Sequence, residues 1–191
     1  MKTLVISISL KAKRTQGSGG RLNLGIHPAF QFYERSTILG QAERRYAASG
    51  VIVTFPDGSR VRASSILDRR VDDPERSFGL YLDARWQPSW PADLIEWEDL
   101  GLPEDADSAA RMIEAAFMRA RRGELVEVGC LGGIGRTGTV LACMAVLAGV
   151  PPVKAVAWVR DAYKTEAVET AEQEDFVRWF ADRASSQGDP A

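Results

Sequence analysis

The chain of 191 residues has little of what builds metal sites or disulfide frameworks: two cysteines, Cys130 and Cys143, and a single histidine, His27. Two cysteines are too few for a disulfide scaffold, and these three side chains make none of the usual zinc spacings. An excess of charge of one sign is also missing. Lys and Arg number 24 against 26 Asp and Glu, a formal net charge of −2. No global positive field is available to gather nucleic acid or an anionic membrane, so neither is expected as a partner, and any phosphate site must be local. Long apolar runs are absent too, which excludes a bilayer-spanning helix. The opening stretch Met1–Leu10 has a charge and then apolar residues, but a basic run from Lys11 to Arg14 follows where a signal peptide would carry a small-residue cleavage site. Its alternation Leu4, Ile6, Ile8, Leu10 reads as a strand instead. A reducing cytoplasm is the expected compartment, and no metal or cofactor is called for.

What remains is an ordinary globular composition, 45% hydrophobic and 26% charged. One domain over 1–191 is expected. Residues 11–25, basic and containing Gly17-Ser-Gly-Gly20, read as a flexible surface loop, and 184–191 as a disordered tail. Val51–Val61 predicts a β-hairpin turning at Pro56-Asp57-Gly58. Short strands are expected at 78–82 and 93–97, and then a helix capped by Asp107 or Ser108 that runs through Arg122 and stops at Gly123. Leu125–Cys130 reads as a buried strand, and Thr139–Val150, apolar on every side, as a helix through the core. Pro151-Pro152 opens another helix to about Tyr163, and Thr170-Ala-Glu-Gln173 is a capping box ahead of a last helix carrying Phe176, Val177 and Phe180. Early strands and late helices predict an α/β fold with a central mixed sheet flanked by helices.

The chemistry concentrates in Cys130-Leu-Gly-Gly-Ile-Gly-Arg-Thr-Gly138, a glycine-rich turn between that strand and a helix beginning near Gly135. Glycines let consecutive N–H groups turn inward as a nest for an anion, and the helix N-terminus adds its positive dipole end. Leu131, Gly132, Gly133, Ile134 and Gly135 then supply the phosphate-binding backbone. A thiol at a helix N-terminus beside a cation is expected to ionise, which makes Cys130 a nucleophile. The fork of Arg136 can hold two phosphoryl oxygens, and the Thr137 hydroxyl is expected to hydrogen-bond the sulfur.

This segment resembles the Cys-x5-Arg-Ser/Thr signature of the protein tyrosine and dual-specificity phosphatase superfamily, in a form similar to its small bacterial members. The resemblance implies a phosphatase fold and a metal-free hydrolase acting on a phosphorylated protein or peptide. It implies further site residues. Trp97-Glu-Asp-Leu-Gly-Leu-Pro103 resembles the family's acid loop, Trp-Pro-Asp-Phe-Gly-Val-Pro, so Asp99 is the expected general acid, 31 residues before Cys130 (130 − 99). Trp90-Pro-Ala-Asp93 offers Asp93 as an alternative. Ala167-Val-Glu-Thr-Ala-Glu-Gln173 is similar to the family's water-positioning segment, with Gln173 matching one of its glutamines and Glu169 standing at the position of the other. Gly129, where the family usually has histidine, and Glu98, where it has proline, depart from the pattern.

Three other readings compete. A catalytically weak or idle relative would only bind phosphoproteins. A phosphoinositide phosphatase would be expected to line the loop with lysines, which are missing between Cys130 and Arg136. Nucleotide hydrolysis would need a Gly-Lys-Ser/Thr loop. Cys143 is expected in the core, Trp86, Trp90 and Trp97 beneath the acid loop, and His27 has no metal-binding company.

Overall fold

The computed structural model describes residues 50–68 and 77–187, all within one compact unit, Arg45–Ala191. The expected strand at 4–10, the loop at 11–25 and His27 lie outside the described residues. Five strands form one sheet: β1 (Val51–Thr54), β2 (Arg60–Ser65), β3 (Phe78–Tyr81), β4 (Ala92–Leu94) and β5 (Val126–Cys130). Among the described residues four α-helices accompany them: α1 (Ala106–Arg121), α2 (Gly135–Leu147), α3 (Pro152–Ala162) and α4 (Ala171–Gln187). The strand order is β1-β2-β5-β3-β4. Only β1 and β2 are antiparallel; the other neighbours run parallel, so the sheet is mixed as expected.

The sequence explains why β5 is central. It is buried along its whole length, and its alternate residues Val126 and Val128 share a face with their register partners Val61 and Ala63 on β2 and Phe78 and Leu80 on β3. Helices α1 and α2 cover that apolar face. Buried on every side from Gly135 to Ala145, α2 packs against β5, α1, α3 and α4. Burying a Leu, Val or Met side chain stabilises by roughly 1.5–3 kcal/mol, so Val140, Leu141 and Met144 anchor the helix that follows the glycine turn.

Several boundaries move. The cap of α1 is Asp105, not Asp107 or Ser108, because the Asp105 carboxylate accepts the Ser108 N–H at 2.8 Å and so satisfies an orphan donor of the first turn. The expected strand at 93–97 shortens to β4, and beyond it Trp97 pairs with Pro103 across the acid loop. Strand β2 continues past Val61 to Ser65, and its last residues lie beside Gly129 and Cys130. The capping box closes by half. Thr170 Oγ1 accepts the Gln173 N–H at 3.2 Å, but the Gln173 side chain reaches one residue further back and accepts the Glu169 N–H at 2.9 Å. Helix α4 runs to Gln187, into the stretch read as a tail from 184.

Candidate active site

The three parallel strands at the centre of the sheet end together, and the candidate residues gather at those ends. Cys130 closes β5, Ser65 closes β2 beside it, and Asp83 follows β3 by two residues. Leu131–Ile134 make the turn into α2, whose first residues include Arg136 and Thr137. The Ser65 hydroxyl donates to Leu131 O at 2.7 Å and fixes the start of the turn. At its middle, Gly133 adopts φ +63°, and a Cβ there would lie 2.7 Å from Ser64 O, so this position needs glycine for conformation and for space. Its N–H turns inward and donates to Cys130 Sγ at 3.2 Å. Nothing lies within 4 Å of where a Gly132 Cβ would be, so the turn is open on that side.

Arg136 is 3% exposed and splits its guanidinium between two tasks. Nη1 donates to Leu82 O at 2.9 Å and Trp97 O at 2.8 Å, with Asp83 Oδ2 at 3.4 Å. These contacts tie the arginine to β3 and to the acid loop. Nε and Nη2, the edge that can grip two oxygens, make no hydrogen bond among the described residues. Asp99 Oδ1 lies 2.8 Å from Nη2, at ion-pair distance.

Asp99 sits at the tip of a tight turn closed by the Gly101 N–H on Glu98 O at 3.1 Å, with Leu100 at φ +60°. The Trp97 indole braces the same turn by donating to Gly101 O at 2.8 Å. Glu98, which replaces the family's proline, therefore contributes through its carbonyl. The alternative acid, Asp93, is built into β4 in register with Leu80.

Gly129 has a steric explanation. A Cβ there would lie 2.7 Å from Ser64 Oγ and 3.0 Å from the Trp86 ring, which stacks on Tyr81 with centroids 3.9 Å apart. Trp86 occupies the space that a histidine side chain would need. Trp97 packs under the acid loop as expected, and Trp86 and Trp90 both pack on Tyr81, the Trp90 indole donating to its hydroxyl at 3.0 Å. Cys143 is fully buried in α2, and burial pushes its thiol well up, in keeping with a core role.

Two expected contacts take a different form. The Thr137 hydroxyl is buried but makes no hydrogen bond to the sulfur or to any other described group; the sulfur's donor is the Gly133 amide. Gln173 is fully buried, with Oε1 on the Glu169 amide and Nε2 without a partner among the described residues. The Glu169 carboxylate lies against the start of α2, 2.1 Å from where a Gly135 Cβ would be, which brings this segment up to the phosphate turn.

Asp83 was not among the sequence candidates. It accepts from the Arg85 side chain at 2.6 and 2.7 Å and from the Arg85 amide at 3.0 Å. Those side-chain bonds, with the amide and the charges of Arg85 and Arg136, outweigh its burial and hold its carboxyl at about 2, below the ordinary 3.8. Its position just past a parallel strand was the available signal, because ligand sites in such sheets form at the carboxyl ends of strands. Among the described residues, no group of three or more metal-ligating side chains is present, and no helix is long and apolar enough to cross a membrane.

The protein-tyrosine phosphatase family profile matches residues 83–177, the span from Asp83 through the turn to α4. An uncharacterized protein of Methanocaldococcus jannaschii is 40% identical over 109 residues, which cover 50% of this chain and 70% of that one. The solved structure of Tk-PTP in its active form aligns with a TM-score of 0.54 at 20% identity, over 69% of this chain and 97% of that one. Human DUSP28 aligns at 0.55 and 16% identity, over 72% and 100%. At such identities these two likenesses are likenesses of fold. With the profile match spanning the glycine turn and the segment that carries Asp99, the chain belongs to the protein-tyrosine phosphatase family.

Proposed function

We propose that the protein removes phosphate from tyrosine in a phosphorylated protein or peptide by way of a cysteinyl-phosphate, with serine and threonine phosphates as the alternative substrates. The observation that carries this reading is one turn holding both the sulfur, met by the Gly133 amide, and a buried arginine whose Nε makes no hydrogen bond among the described residues. Cys130 Sγ attacks phosphorus, and the bond to the leaving oxygen breaks. Arg136 and the amides of Leu131–Gly135 hold the three equatorial oxygens, where charge is spread in the transition state. Asp99 gives its proton to the leaving oxygen. In the second step Asp99 takes a proton from water, which attacks phosphorus and releases the sulfur. Gln173 and Glu169, joined through the Glu169 amide and lying beside Gly135, position that water. No cofactor enters these steps, and the free Cys130 and Cys143 suit a reducing cytoplasm.

The test is hydrolysis of a small aryl phosphate by the full chain and by Cys130→Ser. Removal of the sulfur nucleophile is expected to abolish turnover while binding of tungstate and the urea unfolding midpoint persist. Turnover by Cys130→Ser at the wild-type rate would remove the covalent mechanism. A wild type that binds phosphopeptide without hydrolysing it would leave the idle binding relative as the reading.

A further inference from the structure

The carbonyl of Gly133 carries two hydrogen bonds that the proposed reaction does not use. The Tyr163 hydroxyl donates to it, and Lys164 Nζ donates to it at 2.9 Å. Both residues lie where α3 ends, and Tyr163 is anchored there by its own N–H on Val159 O at 2.9 Å. The other sides of the same glycine are fixed as well, by the N–H on Cys130 Sγ and by the backbone of Ser64.

A peptide group is planar and trans, so its C=O and N–H point in opposite directions. When Tyr163 and Lys164 draw the Gly133 oxygen outward, the N–H of Ile134 on the same peptide turns to the opposite side, where the Gly133 N–H already meets the sulfur. The ammonium of Lys164 also balances the negative end of a carbonyl at the edge of an anion site. Both side chains are half-buried.

We propose that Tyr163 and Lys164 are positioning residues for oxyanion binding, setting the Gly133–Ile134 peptide so that its N–H serves the phosphoryl group. This rests on the phosphatase reading of the turn. Neither side chain touches the anion; each acts through the Gly133 carbonyl.

Tungstate affinity measured calorimetrically on the full chain tests it, beside urea midpoints, for wild type, Tyr163→Phe, Lys164→Met, Lys164→Arg and the double variant Tyr163→Phe/Lys164→Met. Loss of one hydrogen bond worth about 1 kcal/mol corresponds to affinity weaker by about fivefold, and loss of both to more than about tenfold. Lys164→Arg, which keeps a charged donor, is expected to recover most of the loss, and the urea midpoints to stay in place. Variants that bind tungstate as tightly as wild type would overturn the positioning role and leave the phosphatase reading intact. Midpoints that fall in step with affinity would overturn it too, because the pair would then be structural. A wild type that binds no tungstate would overturn both.

Discussion

At position 129 the volume a side chain would enter is already filled by Ser64 Oγ and the Trp86 ring. Installing the histidine usual in the family therefore overpacks a buried site, at a cost of about 1–3 kcal/mol. Gly129→His is expected to lower the urea midpoint accordingly, and Trp86→Ala in that background to recover part of the loss. Equal effects of the histidine with and without Trp86 would sink the steric account. Asp83 supplies a pH-dependent counterpart. Its carboxyl is depressed in the folded protein, so its contribution to stability is complete above the ordinary 3.8 and is lost as pH falls through about 2. Asp83→Asn is expected to lower the urea midpoint near neutrality, with the gap to wild type closing between about pH 4 and 2; a gap that stays constant over that window contradicts the assignment. Cys130, Arg136 and Thr137 stand out in the sequence because strand, turn and helix place them in one local pattern. Asp83, Tyr163 and Lys164 do not, because their partners, Arg136 and Gly133, are 53, 30 and 31 residues away and no periodicity links them.

The acid loop acts as one element because its contacts are mutual. The Trp97 carbonyl accepts from Arg136, its indole holds Gly101 O, and its ring packs edge-on against Phe176 of α4 with centroids 5.3 Å apart. Phenylalanine at 97 would keep an aromatic in place but remove the indole bond and part of the buried ring, freeing the turn that carries Asp99. Misplacing a proton donor harms the chemical step more than ground-state binding. Trp97→Phe is therefore expected to lower kcat by about tenfold on a poor leaving group with KM nearly unchanged. A rise in KM at constant kcat would assign the loop to substrate binding instead. The elements around this loop were legible in proportion to their pattern. Strand β5 and helix α2 are apolar runs, and the hairpin advertised its turn. By contrast, the end of β2 was hidden because Arg62, Ser64 and Ser65 are polar yet buried, which no alternation predicts. Helix α1 was placed one cap too late because three acidic or hydroxyl residues compete at 105–108, and only geometry shows that Asp105 faces the Ser108 amide.

For the molecule as a whole, the parallel core of the sheet sets the site. Strands β2, β3 and β5 run the same way, so their carboxyl ends bring Ser65, Asp83 and Cys130 to one edge, where the N-terminus of α2 also points. The guanidinium of Arg136 and the first amides of α2 meet there, beside the carboxylates of Asp83 and Asp99, within a chain of net charge −2. Buried charges are screened by salt far less than exposed ones, and no broad cationic surface is needed to recruit a dianion. For a small aryl phosphate, kcat/KM is therefore expected to change less than about threefold between about 0.05 and 0.5 M sodium chloride, in the steady state, with EDTA present or absent. A decline of a hundredfold over that range would mean that substrate is gathered by a distributed positive surface, and loss of turnover in EDTA would mean that a metal shares the work assigned to Arg136 and the loop amides.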